Sequence, residues 1–114
     1  MKKTLIIERS DGVKEEFVLT INRKLLIGLE KKYPNSFNSK GETTGSMGDN
    51  LEKAEYMFYL MLKVEKPDIT EKQAEEIANT IEDIYGASAL YNMIQELMSE
   101  VFTKDKAEKK LTLL

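Results

Sequence analysis

Between residues 51 and 64, ten of fourteen side chains are apolar or aromatic, and on a helical wheel they run nearly all the way round. A helix with no clear polar face is buried on most sides. It lies at the centre of a core, or a partner covers its outer face. The apolar run from Tyr56 to Leu62 is far too short to span a bilayer. The chain has 114 residues, enough for one domain that buries roughly two thirds of the surface its unfolded form exposes. Either the rest of the chain is arranged around this one helix or a partner covers what the chain leaves open.

Upstream, residues 3–8 and 14–21 read as two strands rich in β-branched and aromatic residues. Ser10, Asp11 and Gly12 between them are a turn signal. Phe17, Leu19 and Ile21 alternate with Val18 and Thr20, so one face is expected to be buried. An isolated hairpin is marginal in water, so it must pack on helices or pair with another strand edge. Asn22 is a helix cap for a segment running to about Tyr33, with Ile21, Leu25, Leu26, Leu29 and Tyr33 on one stripe and Pro34 ending it. Residues 34–49 hold turn formers and read as a mobile loop, with Asp49 or Asn50 capping the central helix. The three glycines of that loop match neither the P-loop nor the dinucleotide-binding spacing.

Downstream, Lys66, Pro67 and Asp68 stop the central helix. Thr70 and Gln73 form a capping-box pattern, and Ile69 can staple onto Ala74. A third helix runs from there to about Ile84, with Ala74, Ile77, Ala78, Ile81, Ile84 and Tyr85 as its apolar stripe. Gly86 is a C-cap. A fourth helix runs from Ala87 or Ser88 to Phe102, with Leu90, Tyr91, Met93, Ile94, Leu97, Met98, Val101 and Phe102 covering about half its circumference. Residues 103–114 read as a charged tail with a Leu-rich end. The expected fold class is α+β: an N-terminal β-hairpin followed by four helices, in one domain over residues 1–102.

The chain has no cysteine and no histidine. Disulfides and thiolate metal sites are thereby excluded, as is the commonest general base. The carboxylate pairs Glu15 and Glu16, Glu75 and Glu76, and Glu82 and Asp83 are sequence neighbours, which diverge on a helix or strand. Catalytic carboxyls must instead face each other across a cleft. Asp49, Asn50 and Glu52, or Glu71, Glu75 and Glu76, lack calcium-loop spacing and read as solvated faces. No enzyme, cofactor or metal is expected. The formal net charge of −3 and the interspersed lysines argue against a nucleic-acid stripe. A helical domain gripping phosphates with residues 104–110 remains the third reading. The start Met1-Lys2-Lys3 precedes too few apolar residues for a signal peptide, so a soluble intracellular protein is expected.

The methionines and aromatics of the two apolar helices fill cores by default, but they also suit adaptable partner surfaces. The candidates for partner contact are Tyr56, Tyr59, Tyr91, Leu97, Met98 and Phe102, with Leu111, Leu113 and Leu114 of the tail.

The run 17–33, Phe-Val-Leu-Thr-Ile-Asn-Arg-Lys-Leu-Leu-Ile-Gly-Leu-Glu-Lys-Lys-Tyr, resembles the opening of many tail assembly chaperones of long-tailed bacteriophages. The runs 66–78, Lys-Pro-Asp-Ile-Thr-Glu-Lys-Gln-Ala-Glu-Glu-Ile-Ala, and 81–86, Ile-Glu-Asp-Ile-Tyr-Gly, are similar to that family's second half. The likeness spans about residues 14–102 and departs at the long loop. It implies a protein of the host cytoplasm that binds the tape measure protein and tail tube subunits and is absent from the finished virion. It also implies several copies per client and a homo-oligomer as a further assembly. In the family a frameshift often adds a C-terminal extension, for which Lys109 and Lys110 mark a candidate place. The runner-up is a small acidic adaptor or regulatory module of the inhibitor or antitoxin kind.

Overall fold

The computed structural model describes the backbone of residues 1–35 and 47–108 and the side chains of 1–35 and 50–101. The elements in order are β1 (Lys2–Glu8), β2 (Lys14–Thr20), α1 (Arg23–Lys32), α2 (Met47–Glu65), α3 (Glu71–Tyr85) and α4 (Ala89–Glu108). The fold is α+β, an antiparallel two-stranded hairpin followed by four helices.

The hairpin pairs Leu5 with Phe17 and Ile7 with Glu15. Its connection closes through Arg9 N–H to Val13 O and Gly12 N–H to Arg9 O, both 2.9 Å. Gly12 sits at φ +86°, a conformation that costs glycine little. Asp11 fixes the turn by accepting the Val13 N–H at 3.0 Å. Ile7, Phe17 and Leu19 are buried on the inner face, while Ile6 and Val18 are exposed on the outer one. Thr20 breaks the alternation. It lies on the Val18 face yet is buried, and its hydroxyl donates to Glu65 at the end of α2 over 3.1 Å. Lys2 pairs with the same carboxylate at 3.0 Å, and Lys3 with Glu100 of α4 at 3.1 Å. The hairpin is thus fastened to two helices, and β2 packs along α2.

The Asn22 side chain caps α1 by accepting the Leu25 N–H at 2.9 Å. Leu25 and Leu29 are buried, and Leu26 and Tyr33 are half-buried. Helix α2 occupies the centre and touches β2, α1, α3 and α4. Ala54, Met57, Phe58, Met61 and Leu62 line its buried side, while Leu51 and Val64 reach solvent. It starts at Met47, so residues 47–49 are helical rather than loop. Asp49 and Asn50 therefore lie inside the helix and cannot cap it, since a cap needs non-helical backbone; Asn50 is buried. The rest of the predicted loop, 36–46, lies outside the described residues.

The capping box opens α3. Gln73 N–H donates to Thr70 Oγ1 at 3.1 Å, and Thr70 N–H to Gln73 Oε1 at 3.0 Å. Ala74, Ala78 and Ile81 are buried, but Ile84 and Tyr85 are exposed. The predicted stripe leaves the core in the last turn, where the Tyr85 hydroxyl accepts the Glu8 N–H of β1 at 2.9 Å. Gly86 ends α3 at φ +109°, its N–H donating to Glu82 O at 2.9 Å. Helix α4 presents Leu90, Ile94, Leu97 and Met98 to α2 and α3. Its backbone stays helical to Glu108, six residues past the predicted boundary at 102. Ala and Lys in that stretch are strong helix formers, and the sequence has no breaker there.

A candidate partner-binding surface

The predicted contact residues fall into three groups. Leu97 and Met98 are core: they stand three and four positions after Ile94 on the buried stripe, at 8% and 0% exposure. They are taken up within the chain itself, which corrects the expectation of a partner-facing pair. Tyr91 is half-buried against the core on α4. The Phe102 side chain and Leu111, Leu113 and Leu114 lie outside the described residues. Tyr56 and Tyr59 are likewise half-buried against the core, and together they line one groove.

They do so beside residues that the sequence pattern assigned to other roles. Tyr33, at the end of α1, meets Tyr56 edge-on with ring centroids 5.9 Å apart. Tyr56 and Tyr59, three positions apart on α2, have ring centroids 6.2 Å apart. The Lys32 ammonium lies 4.0 Å above the Tyr56 ring centre and 5.7 Å from that of Tyr33. Around this floor stand Glu52 and Glu55 of α2 and Glu71 and Glu75 of α3, enclosing a groove of about 310 Å³. Among the described residues none of these four carboxylates joins an ion pair. Burial raises the Glu55 pKa above the ordinary 4.5, and the nearby charges of Glu75, Glu82 and Glu52 raise it further.

The signal for this groove was present in α2. Glu52, Glu55, Tyr56, Tyr59 and Lys63 recur at helical spacing and make one amphipathic face. Counting tyrosine as apolar hid that face. Glu71 and Glu75, weighed with Glu76 as a metal set, divide: Glu76 lines a different groove, between the hairpin and α3. Among the described residues no three carboxylates converge closely enough to hold a metal ion.

That second groove, about 800 Å³, runs over Ile7, Phe17, Ile69 and Ile77. Its mouth is edged by Arg9, bonded to Glu15 at 2.7 Å, and by Lys66, whose ammonium lies 5.4 Å from the Phe17 ring centre. Glu15 and Glu16 occupy opposite faces of β2 and do not converge.

Among the described residues no helix is long and apolar enough to cross a membrane. No family model matches the chain, and no curated protein or solved structure matches it at a significant level. The fold itself defines the class: a hairpin and three helices around one central helix, bearing a tyrosine-floored acidic groove.

Proposed function

We propose that this chain is a non-enzymatic assembly chaperone of long-tailed phages or prophages. In this reading it works in the host cytoplasm, binds the tape measure protein and tail tube subunits during tail assembly, and leaves before the virion is complete. The support from sequence is the likeness over residues 14–102, with the order hairpin, short helix, then helices in succession. The observation that carries most weight is the half-buried aromatic cluster of Tyr33, Tyr56 and Tyr59 lining a groove, rigid amphipathic side chains of the kind that anchor protein partners. Such a surface acts as a holdase. It covers apolar stripes of a client, while the charged outer faces keep the complex dispersed.

The test is co-expression with a tape-measure fragment, followed by the mass of the assembly in solution. Tyr59→Asp is expected to weaken association while the helical circular dichroism of the free chain is kept. Leu97→Asp places a charge in the core and is expected to unfold the chain instead. Unchanged assembly mass for folded Tyr59→Asp would remove the patch from the interface. The acidic groove equally fits a small adaptor or regulatory module. Coding neighbours separate the two: a tube gene before and a very long gene after favour the chaperone.

A further inference from the structure

We propose that the groove between α1, α2 and α3 is a docking site for a lysine or arginine side chain carried by a basic segment of a protein partner. The partner follows from the proposed function, on which that part of the assignment rests; the chemistry of the site stands on its own geometry.

Three independent features converge there. First, the floor is aromatic. Tyrosine faces attract ammonium and guanidinium groups, which the ring quadrupole holds within about 6 Å of the centroid. Second, the rim is acidic and uncompensated. The lining has four carboxylates, Glu52, Glu55, Glu71 and Glu75, against the single ammonium of Lys32. The three ion pairs among the described residues lie elsewhere, at Lys2–Glu65, Lys3–Glu100 and Arg9–Glu15. Third, cations of this chain already rest on the floor, Lys63 lying 5.5 Å from the Tyr59 ring centre and Lys32 closer in. Lys32 reaches in from the last turn of α1 and stacks on Tyr56 at 4.0 Å. Its stem is flexible and its head strongly hydrated, so a guanidinium that stacks and bonds a carboxylate with two N–H groups can displace it.

The electrostatics fit the same conclusion. Glu55 is held where burial and like charges disfavour its ionised form. Arrangements that work against the fold in this way concentrate at functional sites. An incoming cation relieves them. A metal ion is the poorer occupant, because no three carboxylates converge on one point among the described residues. Nucleic acid is repelled by the same rim.

The probe is N-acetyl-arginine amide, with N-acetyl-lysine amide beside it and N-acetyl-glutamate amide as control, titrated into the isotope-labelled full chain and followed by NMR. Saturable shifts are expected at Lys32, Tyr33, Glu55, Tyr56, Tyr59 and Glu75 with the two cations and not with the anion. Glu55→Gln/Glu75→Gln is expected to weaken binding about tenfold. Tyr56→Leu abolishes it, and Tyr56→Phe, which keeps the ring face, restores it. Lys32→Met removes the nearer of the two internal competitors and is expected to tighten binding roughly three- to fivefold, the size of an exposed cation–π contact. Shifts spread over all surface carboxylates, or binding weakened by Lys32→Met, would overturn the assignment.

The client experiment separates this site from the proposed function. A tape-measure fragment that binds the wild type and Glu55→Gln/Glu75→Gln equally well removes the groove and leaves the chaperone reading. Arginine-amide binding without any client association does the reverse. Self-association lost in the same double variant would replace the foreign partner by a second copy and overturn the assignment as stated.

Discussion

Glu55 and Glu65 illustrate opposite uses of a carboxylate on one helix. Glu65 is exposed, and its pKa is lowered by hydrogen bonds from Lys2 and then Thr20, with the Lys2 charge adding to them. Its contribution to stability is present above the unfolded value and is lost as pH falls through the lower folded value. Glu55 has the reverse sign. Its folded pKa lies above 4.5, so the fold favours the protonated form; that advantage is complete below 4.5 and vanishes as pH rises through the folded value. At neutral pH the ionised Glu55 works against the fold. Glu55→Gln is therefore expected to raise Tm at pH 7, by roughly 1–3 °C given solvent screening, and to give no gain near pH 4. Thermal melts at the two pH values check this; a lower Tm at pH 7 would contradict it. The caps of α1 and α3 were legible at this scale because Asn22, and Thr70 with Gln73, bond to backbone only three residues away, whereas the α2 cap expected at Asp49 or Asn50 was not found there. The Thr20–Glu65 bond joins residues 45 apart, and no local pattern announces it.

At the scale of elements, the corner between α3 and α4 depends on one backbone conformation. Gly86 combines φ +109° with ψ 159°, a region essentially closed to other residues. A Cβ added there meets nothing within 4 Å, so substitution strains the backbone alone. Gly86→Ala is expected to cost roughly 1–3 kcal/mol in urea unfolding. Gly28, inside α1 and equally uncrowded, supplies the control: Gly28→Ala is expected to stabilise by up to about 1 kcal/mol. Equal effects at the two sites would show that the corner tolerates a side chain. Element types were readable from apolar spacing, and α3 was the clearest because stripe, box and glycine agree. Ends were less readable where the apolar stripe and the helical backbone do not coincide. Helix α2 begins four residues before Leu51, and α4 continues through charged residues that carry no stripe.

For the whole molecule, the near-continuous apolar run of α2 correctly identified the helix that everything else surrounds. It did not say which of its residues, or those of α4, would be enclosed. A stripe half a circumference wide does not reveal how far its neighbours wrap, so Leu97 and Tyr59 looked alike although one is core and the other rim. The enclosed part has its own consequence. Met57, Met61 and Met98 are all 0% exposed where α2 and α4 meet. Peroxide oxidises a thioether only when it can reach the sulfur, and the sulfoxide is too polar to return to such a place. These three sulfurs are thus expected to oxidise at a rate set by global opening, rising with urea below the midpoint, while half-buried Met93 reacts sooner. Peptide mass spectrometry reads each site, and Met57 oxidising as fast as Met93 in native buffer would contradict it. Damage to the centre of the protein is thus paced by how seldom that centre meets water.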